Sequence, residues 1–139
     1  MVLGRLDTRR GRRLFIVGLT ALSLASCSSR PGGSPAGRAV PTTEVGDLGG
    51  APYRIDVPPG WNGGLMIYCH GYRGAPVHFN ANGPDEMAQT FAPLGYAVAQ
   101  SGYSAGGYAV REAVRDVEAL RVHFAKRFEP PKETWISGR

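Results

Sequence analysis

The sequence is poor in cysteine, in long apolar runs and, beyond its first 26 residues, in net charge. Its 139 residues include two cysteines, too few for a disulfide scaffold. No apolar run reaches the roughly 18 residues typical of a membrane-spanning helix. The formal charge is +5, but residues 1–26 hold five arginines against one aspartate, which leaves 11 basic and 10 acidic residues in the remainder. That remainder lacks the basic field that nucleic-acid binding needs, so nucleic acid is not the expected partner.

The first 26 residues have the three regions of a secretory signal. Arginines precede a mostly apolar stretch over residues 14–25, and small residues follow before Cys27. The segment 11–16, Gly-Arg-Arg-Leu-Phe-Ile, resembles a twin-arginine signal. Residues 24–27, Leu-Ala-Ser-Cys, resemble the bacterial lipoprotein box, which implies cleavage before Cys27 and lipid attachment to its sulfur. We therefore expect an exported protein of the bacterial cell envelope, lipid-anchored or secreted. The alternative is an ordinary signal peptide with a coincidental cysteine.

A segment rich in small residues follows the predicted signal. Residues 28–50 contain six glycines and three prolines and almost no large apolar side chain. Such a composition buries too little surface to offset the entropy of ordering the chain. We predict a flexible linker over 28–50 and a folded domain over 51–139. If Cys27 carries lipid, Cys69 has no intrachain partner, and we expect it to be a buried thiol.

The folded part alternates strand and helix patterns. Residues 53–57 alternate apolar and polar side chains, as expected for a near-edge strand with one wet face. Residues 65–69 are continuously apolar or aromatic, which is typical of a strand covered on both faces. We predict helices from Pro84 to Gly95 and over 110–127, and further strands over 96–100 and 133–137. This order predicts an α/β fold with a doubly wound, mostly parallel sheet.

The order of motifs carries a resemblance. A strand runs into His70-Gly71-Tyr72, a second strand and a long helix follow, and the sequence ends in a strand leading to Gly138-Arg139. This order is similar to the N-terminal half of the α/β-hydrolases. The resemblance implies that the backbone N–H groups of the Gly71–Tyr72 turn belong to an oxyanion hole. It also implies that Gly138-Arg139 begins the nucleophile elbow, so that we expect the chain to stop before the nucleophilic serine.

A second match to the elbow pattern lies inside the chain. Gly102-Tyr103-Ser104-Ala105-Gly106 satisfies G-x-S-x-G literally and makes Ser104 a candidate nucleophile. Three observations weigh against it. Two glycines, poor helix formers, follow before the next helical pattern, and one fewer strand separates Ser104 from His70 than the family order requires. The third is the lack of a base: the only histidine after Ser104 is His123, and no acid is evident beside it, since Asp116 lies about 10.5 Å away along the same helix.

The remaining site residues follow from the same resemblance. The loop carrying Ser104 corresponds to the loop at the mouth of the site, so His70 and Tyr103 are expected to line the substrate pocket. His70 is expected to bond the loop rather than to act as the general base. Cys69 and His70 are consecutive on a strand and point to opposite faces, which argues against a metal site. We expect no metal and no cofactor.

These observations predict the N-terminal portion of an exported serine hydrolase that acts on a carboxylic ester or amide. The membrane is expected to be a partner through Cys27. Because the predicted serine, acid and base lie beyond Arg139, we expect the chain to be inactive by itself. Two alternatives remain open: a non-catalytic surface lipoprotein that binds a partner, and an unusual esterase that uses Ser104.

Overall fold

The computed structural model describes residues 41–139, and the predicted signal segment with Cys27 lies outside them. The described part is a five-stranded sheet with two helices. Within it no helix is both long enough and apolar enough to cross a bilayer. The strands are β1 (Thr42–Leu48), β2 (Ala51–Val57), β3 (Gly64–Cys69), β4 (Ala97–Ser101) and β5 (Glu133–Gly138), and the helices are α1 (Glu86–Phe91) and α2 (Val110–Arg127).

The first two strands form a hairpin where a linker was predicted. Residues 42–48 pair antiparallel with β2 in full register, from Thr42 opposite Val57 to Leu48 opposite Ala51. Gly49 and Gly50 make the two-residue turn with φ values of +66° and +90°, which is the backbone that a tight hairpin turn requires. The predicted linker over 28–50 is therefore wrong from residue 42 onward, and the folded domain begins before residue 51. The Gly-Gly pair between two short strand-forming segments was the sequence signal for this hairpin.

The strand order is β1-β2-β4-β3-β5. β3 lies between β4 and β5 and pairs in parallel with both, whereas β2 pairs antiparallel with β1 and with β4. Only β2 runs against the other four strands. The predicted α/β fold with a mostly parallel sheet is confirmed.

The two faces of the sheet are covered by different elements. On one face, Leu120 and Phe124 of α2 pack against inward-facing residues of the strands such as Ile55 and Leu65. The other face carries Arg54, and the loop that leads into α1 packs against it. The Arg54 guanidinium holds this loop by donating to the carbonyl oxygens of Asn80 and Gly83. All five residues of β4 are buried, whereas in β3 the residues facing α2, Leu65 and Ile67, are buried and Met66 and Tyr68 are half-buried. The prediction that β3 is covered on both faces therefore holds fully for one face only.

The predicted wet face of β2 is absent. All seven residues of the strand are buried, including Arg54 and Asp56, which are only 6% and 8% exposed. Arg54 Nε donates to Asp56 Oδ2 at 2.7 Å, and Thr43 Oγ1 donates to Asp56 Oδ1 at 2.8 Å. The alternation of apolar and polar residues therefore reflects a buried ion pair on the second face, where the loop before α1 and the Thr43 side chain contact it.

The helix boundaries match their sequence signals. The Asp85 side chain accepts a hydrogen bond from Ala88 N–H and caps α1, and Gly95 ends the following 3-10 turn with a φ of +85°. The predicted apolar face of α2 is buried only in its second half. Val110 and Val114 are 69% and 68% exposed, so the first half of α2 presents apolar side chains to an open groove.

Candidate functional site

The candidate site lies where β3 and β5 end side by side. Their parallel register sets Cys69 opposite Gly138, and the chain beyond β3 turns at His70-Gly71-Tyr72. A side chain at position 71 would lie 2.9 Å from the carbonyl oxygen of Arg139, so the turn packs directly against the end of β5. The carboxyl ends of parallel strands are where α/β folds bind their ligands.

The turn presents two backbone donors. Within residues 41–139, neither the Gly71 N–H nor the Tyr72 N–H donates to a backbone or side-chain acceptor. The space that a Gly71 side chain would occupy is taken by the carbonyl oxygen of Arg139, so glycine is needed here for the close approach of β5. N–H groups without an acceptor can donate to an incoming oxygen, as stabilisation of an oxyanion requires.

His70 and Tyr103 pack together behind the turn. Their ring centroids are 4.2 Å apart, and Tyr103 Oη donates to the His70 carbonyl oxygen at 3.4 Å. His70 Nδ1 lies 2.7 Å from the Gly71 carbonyl oxygen. A carbonyl only accepts, so Nδ1 carries the proton and donates. Burial raises the pKa of the Tyr103 phenol, and Cys69 beside it raises the pKa further. The His70 ring therefore donates a hydrogen bond within its own loop, and the Tyr103 phenol stays protonated.

An apolar groove of about 690 Å³ extends from this turn along the first half of α2. Its volume is in the range of pockets that bind small molecules. His70 and Tyr103 line it, and whether it is a substrate pocket stays a prediction. The rings of Tyr72 and Tyr108, whose centroids are 5.2 Å apart, also line it. The aliphatic part of the lining comes from Val110, Val114 and Val117 of α2 and from Ile136 of β5.

The internal G-x-S-x-G segment is not shaped as a nucleophile elbow. Its one non-glycine residue with a positive φ is Tyr103, at +56°, and not Ser104. Helix α2 begins only at Val110, so no helix N-terminus lies directly behind the serine, as an elbow requires. The segment is a loop between β4 and α2.

The Ser104 hydroxyl contacts a carboxylate and a guanidinium rather than a histidine. Its backbone N–H and its hydroxyl both donate to Asp116 Oδ2, each at 2.7 Å, and Arg115 Nη2 donates to its Oγ at 2.7 Å. No histidine is among these partners. Burial would raise the pKa of Asp116, but the hydrogen bonds from Ser104 and Arg115 outweigh it and hold that pKa below its usual value. Asp116 is therefore an anionic acceptor that holds the Ser104 hydroxyl.

His123 belongs to a separate polar cluster on the second half of α2. Its Nε2 lies 2.9 Å from Glu44 Oε1 and 3.2 Å from Tyr53 Oη. The expectation that no acid supports His123 is thus wrong, because Glu44 lies on β1, in the segment predicted to be a linker. Burial raises the pKa of Glu44, but hydrogen bonds from His123 and Tyr53 and the charge of Arg127 bring it below its usual value. The cluster fastens the hairpin to α2 and does not contact Ser104.

Acid should destabilise the protein through Asp116 and Glu44. Their pKa values lie below the ordinary 3.8 and 4.5, so the unfolded chain binds protons more tightly than the folded chain. The stabilisation is complete above the ordinary values and is lost as the pH falls through the folded-state values. We expect Asp116→Asn to flatten the decline of the unfolding free energy between about pH 5 and pH 2, measured by urea denaturation. Glu129→Gln, at an exposed position, is the matched control, and an unchanged slope in Asp116→Asn would contradict the assignment.

No group of three or more potential metal ligands among His, Cys, Asp and Glu occurs within residues 41–139. Burial raises the pKa of the Cys69 thiol, although a contact with the Tyr103 hydroxyl opposes that shift. Cys69 is half-buried and is not part of a disulfide in the described region. The thiol is thus protonated at neutral pH.

Neither a protein-family model nor a curated protein sequence matches the chain. The structure is similar to a crystal structure of an α/β serine hydrolase without a lid from Xanthomonas campestris. The similarity has a TM-score of 0.47 and 16% sequence identity, over 75% of this chain and 52% of that one. The chain thus spans about half the length of that hydrolase.

Proposed function

We propose that this chain is the N-terminal portion of an exported serine hydrolase that cleaves a carboxylic ester or amide. In this proposal the Gly71 and Tyr72 amides form part of the oxyanion hole, and the nucleophile is a serine that follows Arg139. The acid and the histidine base come from farther along the chain, and the lipid on Cys27 anchors the enzyme to the membrane. No cofactor is required.

The pairing of β5 with β3 is the observation that supports this proposal. It sets Gly138 opposite Cys69 and brings the Arg139 backbone against Gly71. A serine directly after Arg139 would therefore enter the region of the two free N–H groups. Acyl transfer needs this arrangement, because the attacking oxygen and the oxyanion donors act on the same carbonyl.

The proposed roles divide the chemistry between two parts of the protein. As the serine oxygen attacks the carbonyl carbon, its proton passes to the histidine base and negative charge collects on the carbonyl oxygen. Each backbone donor that faces this oxygen lowers the barrier by roughly 2.7–4 kcal/mol. The described residues supply the donors and the apolar groove but no group that attacks the carbonyl. In this proposal the described residues stabilise an oxyanion that forms when a serine beyond Arg139 attacks.

We expect the 139-residue chain to hydrolyse p-nitrophenyl esters no faster than buffer does. A fluorophosphonate probe, which labels activated serines, should leave Ser104 unmodified, because its hydroxyl bonds to Asp116, a carboxylate whose lowered pKa makes it a weak base, and contacts no histidine. Mass spectrometry of the treated protein identifies any labelled residue, and the Ser104→Ala variant controls for background. Stoichiometric labelling of Ser104 would instead make it the nucleophile.

The codons after Arg139 test the proposal directly. We expect these codons to encode Ser-x-Gly followed by a helical pattern. A chain that includes this segment should be labelled by the phosphonate at the new serine and lose labelling when that serine is replaced by alanine. A stop codon, or a continuation without serine at that position, would contradict the proposal.

A binding module on the cell surface is the second candidate function. It is favoured by the exposed apolar side chains around the groove, since exposed apolar patches mark interaction sites. Tyr72, Tyr108 and Val114 are 63%, 92% and 68% exposed. This function predicts that the gene stops after Arg139 and that replacing Tyr108 and Val114 by serine abolishes partner binding. The hydrolase proposal predicts instead that later residues of the same chain cover this patch.

A further inference from the structure

We propose that Asp116 is a positioning residue that holds the Gly71–Tyr72 turn in place through Ser104 and the loop over residues 102–107. This inference rests on the proposed function, because it gives the turn an oxyanion-binding role. It gives the internal G-x-S-x-G segment a structural role that does not require Ser104 to be the nucleophile.

The first link joins α2 to the loop. Asp116 is 4% exposed, and its Oδ2 accepts from both the backbone N–H and the hydroxyl of Ser104. Arg115 Nε donates to Asp116 Oδ1 at 3.0 Å and leaves Oδ2 to the serine. Hydrogen bonds to an ionised group are about twice as strong as neutral ones. The loop is therefore fixed to a helix whose second half is packed into the core.

The second link joins the loop to the turn. Gly107 N–H donates to the Arg73 carbonyl oxygen at 2.7 Å, and Val77 N–H donates to the Gly102 carbonyl oxygen at 2.9 Å. Between these two bonds the backbones are in direct contact. A Cβ at Gly106 would overlap the Gly74 carbonyl oxygen, and one at Gly102 would overlap that of Val77. The two glycines of the pattern thus allow the backbones to touch.

The turn needs such a support. Apart from the single bridge between Arg73 and Gly107, residues 70–80 have no regular secondary structure. Oxyanion donors are effective only when they are preorganised, because reorienting them during the reaction consumes the stabilisation they provide. Arg73 lies one residue beyond Tyr72, so the bond to Gly107 restrains the donors directly.

Hydrogen exchange in the full chain tests this chain of contacts. We expect Asp116→Asn to accelerate amide exchange at Gly107 and Val77, the two donors that join the loop to the segment after the turn, by about tenfold or more, the effect of weakening hydrogen bonds to a charged group. Exchange over 65–67, in the middle of β3, should stay within about twofold, since these residues pair with β4 and β5 rather than with the loop. Ser104→Ala should reproduce part of the acceleration, and Ser104→Thr, which keeps the hydroxyl, should restore slow exchange.

Glu118→Gln is the matched control, because it removes an acid of the same helix that pairs only with Arg121 at the surface. Unchanged exchange at Gly107 and Val77 in Asp116→Asn and Ser104→Ala would overturn the inference. So would an acceleration that occurs equally over 65–67, which would indicate general destabilisation. If Asp116→Asn does not fold, the comparison of Ser104→Ala with Ser104→Thr decides. Failure of the proposed function appears instead in the phosphonate and codon experiments, which do not depend on exchange rates.

Discussion

Replacing Gly102 by alanine is expected to lower the free energy of unfolding by about 2–4 kcal/mol. A Cβ at this position would overlap the carbonyl oxygen of Val77, and both atoms belong to backbone that cannot swing aside. The loops must separate, which adds the loss of the hydrogen bond between Val77 and Gly102 to the cost of overpacking. Urea denaturation followed by tryptophan fluorescence measures the change.

Gly83→Ala is the control for Gly102→Ala. A Cβ at Gly83 would meet no atom within 4 Å and its φ is not positive, so its stability should stay within about 0.5 kcal/mol of the unmodified chain. A Gly102→Ala variant as stable as the control would show that the two loops do not touch. In that case the loop would not support the Gly71–Tyr72 turn, and the function of the G-x-S-x-G segment would be open again.

Replacing Arg54 by methionine is expected to cost about 3–5 kcal/mol, the usual effect of leaving one partner of a buried ion pair alone. The guanidinium binds the Asp56 carboxylate at 2.7 and 3.0 Å and also the loop before α1. Its loss leaves a buried carboxylate with Thr43 as its remaining side-chain donor and releases the loop carbonyls. The free energy of unfolding in urea provides the measurement.

The double variant Arg54→Met with Asp56→Leu separates the charge effect from the packing effect. Because it removes both charges, we expect it to be more stable than Arg54→Met alone, although the loop bonds to Asn80 and Gly83 remain lost. Arg121→Met, which breaks an exposed pair with Glu118, should change stability by less than about 1 kcal/mol. If the double variant is no more stable than Arg54→Met, the unpaired charge on Asp56 does not cause the loss of stability.

The predicted elements that depend on local patterns agree with the structure. The continuous apolar segment became β3, and proline, acidic residues and glycine marked the ends of α1, because caps and turn residues act over a few positions. The first strand was missed because residues 42–48 are flanked by segments rich in glycine and proline and resemble a linker when the composition of 28–50 is averaged. Because residue 44 was assigned to the linker, Glu44 was not predicted to be the acid that pairs with His123.

The candidate site was only partly predictable. The His-Gly segment and the final Gly-Arg, singled out by their order along the chain, lie side by side, while their roles in an oxyanion hole and a nucleophile elbow stay predictions. The backbone of Gly102–Gly106 differs from that of an elbow. The partnership of Ser104 with Asp116 was not predicted. Asp116 was weighed only as a support for His123, seven residues along the helix, and nothing in the sequence indicates that a loop twelve residues earlier folds back onto it.

The sequence alone determined the helices and every strand except β1, and with them the α/β class, because those choices follow from side-chain periodicity and from glycine and proline. Tertiary structure decided which strand ends meet, that Arg54 and Asp56 are buried together, and that the G-x-S-x-G loop braces a turn. These outcomes depend on pairings between residues far apart in the chain, and such pairings are selected by the packing of the whole sheet rather than by any local pattern.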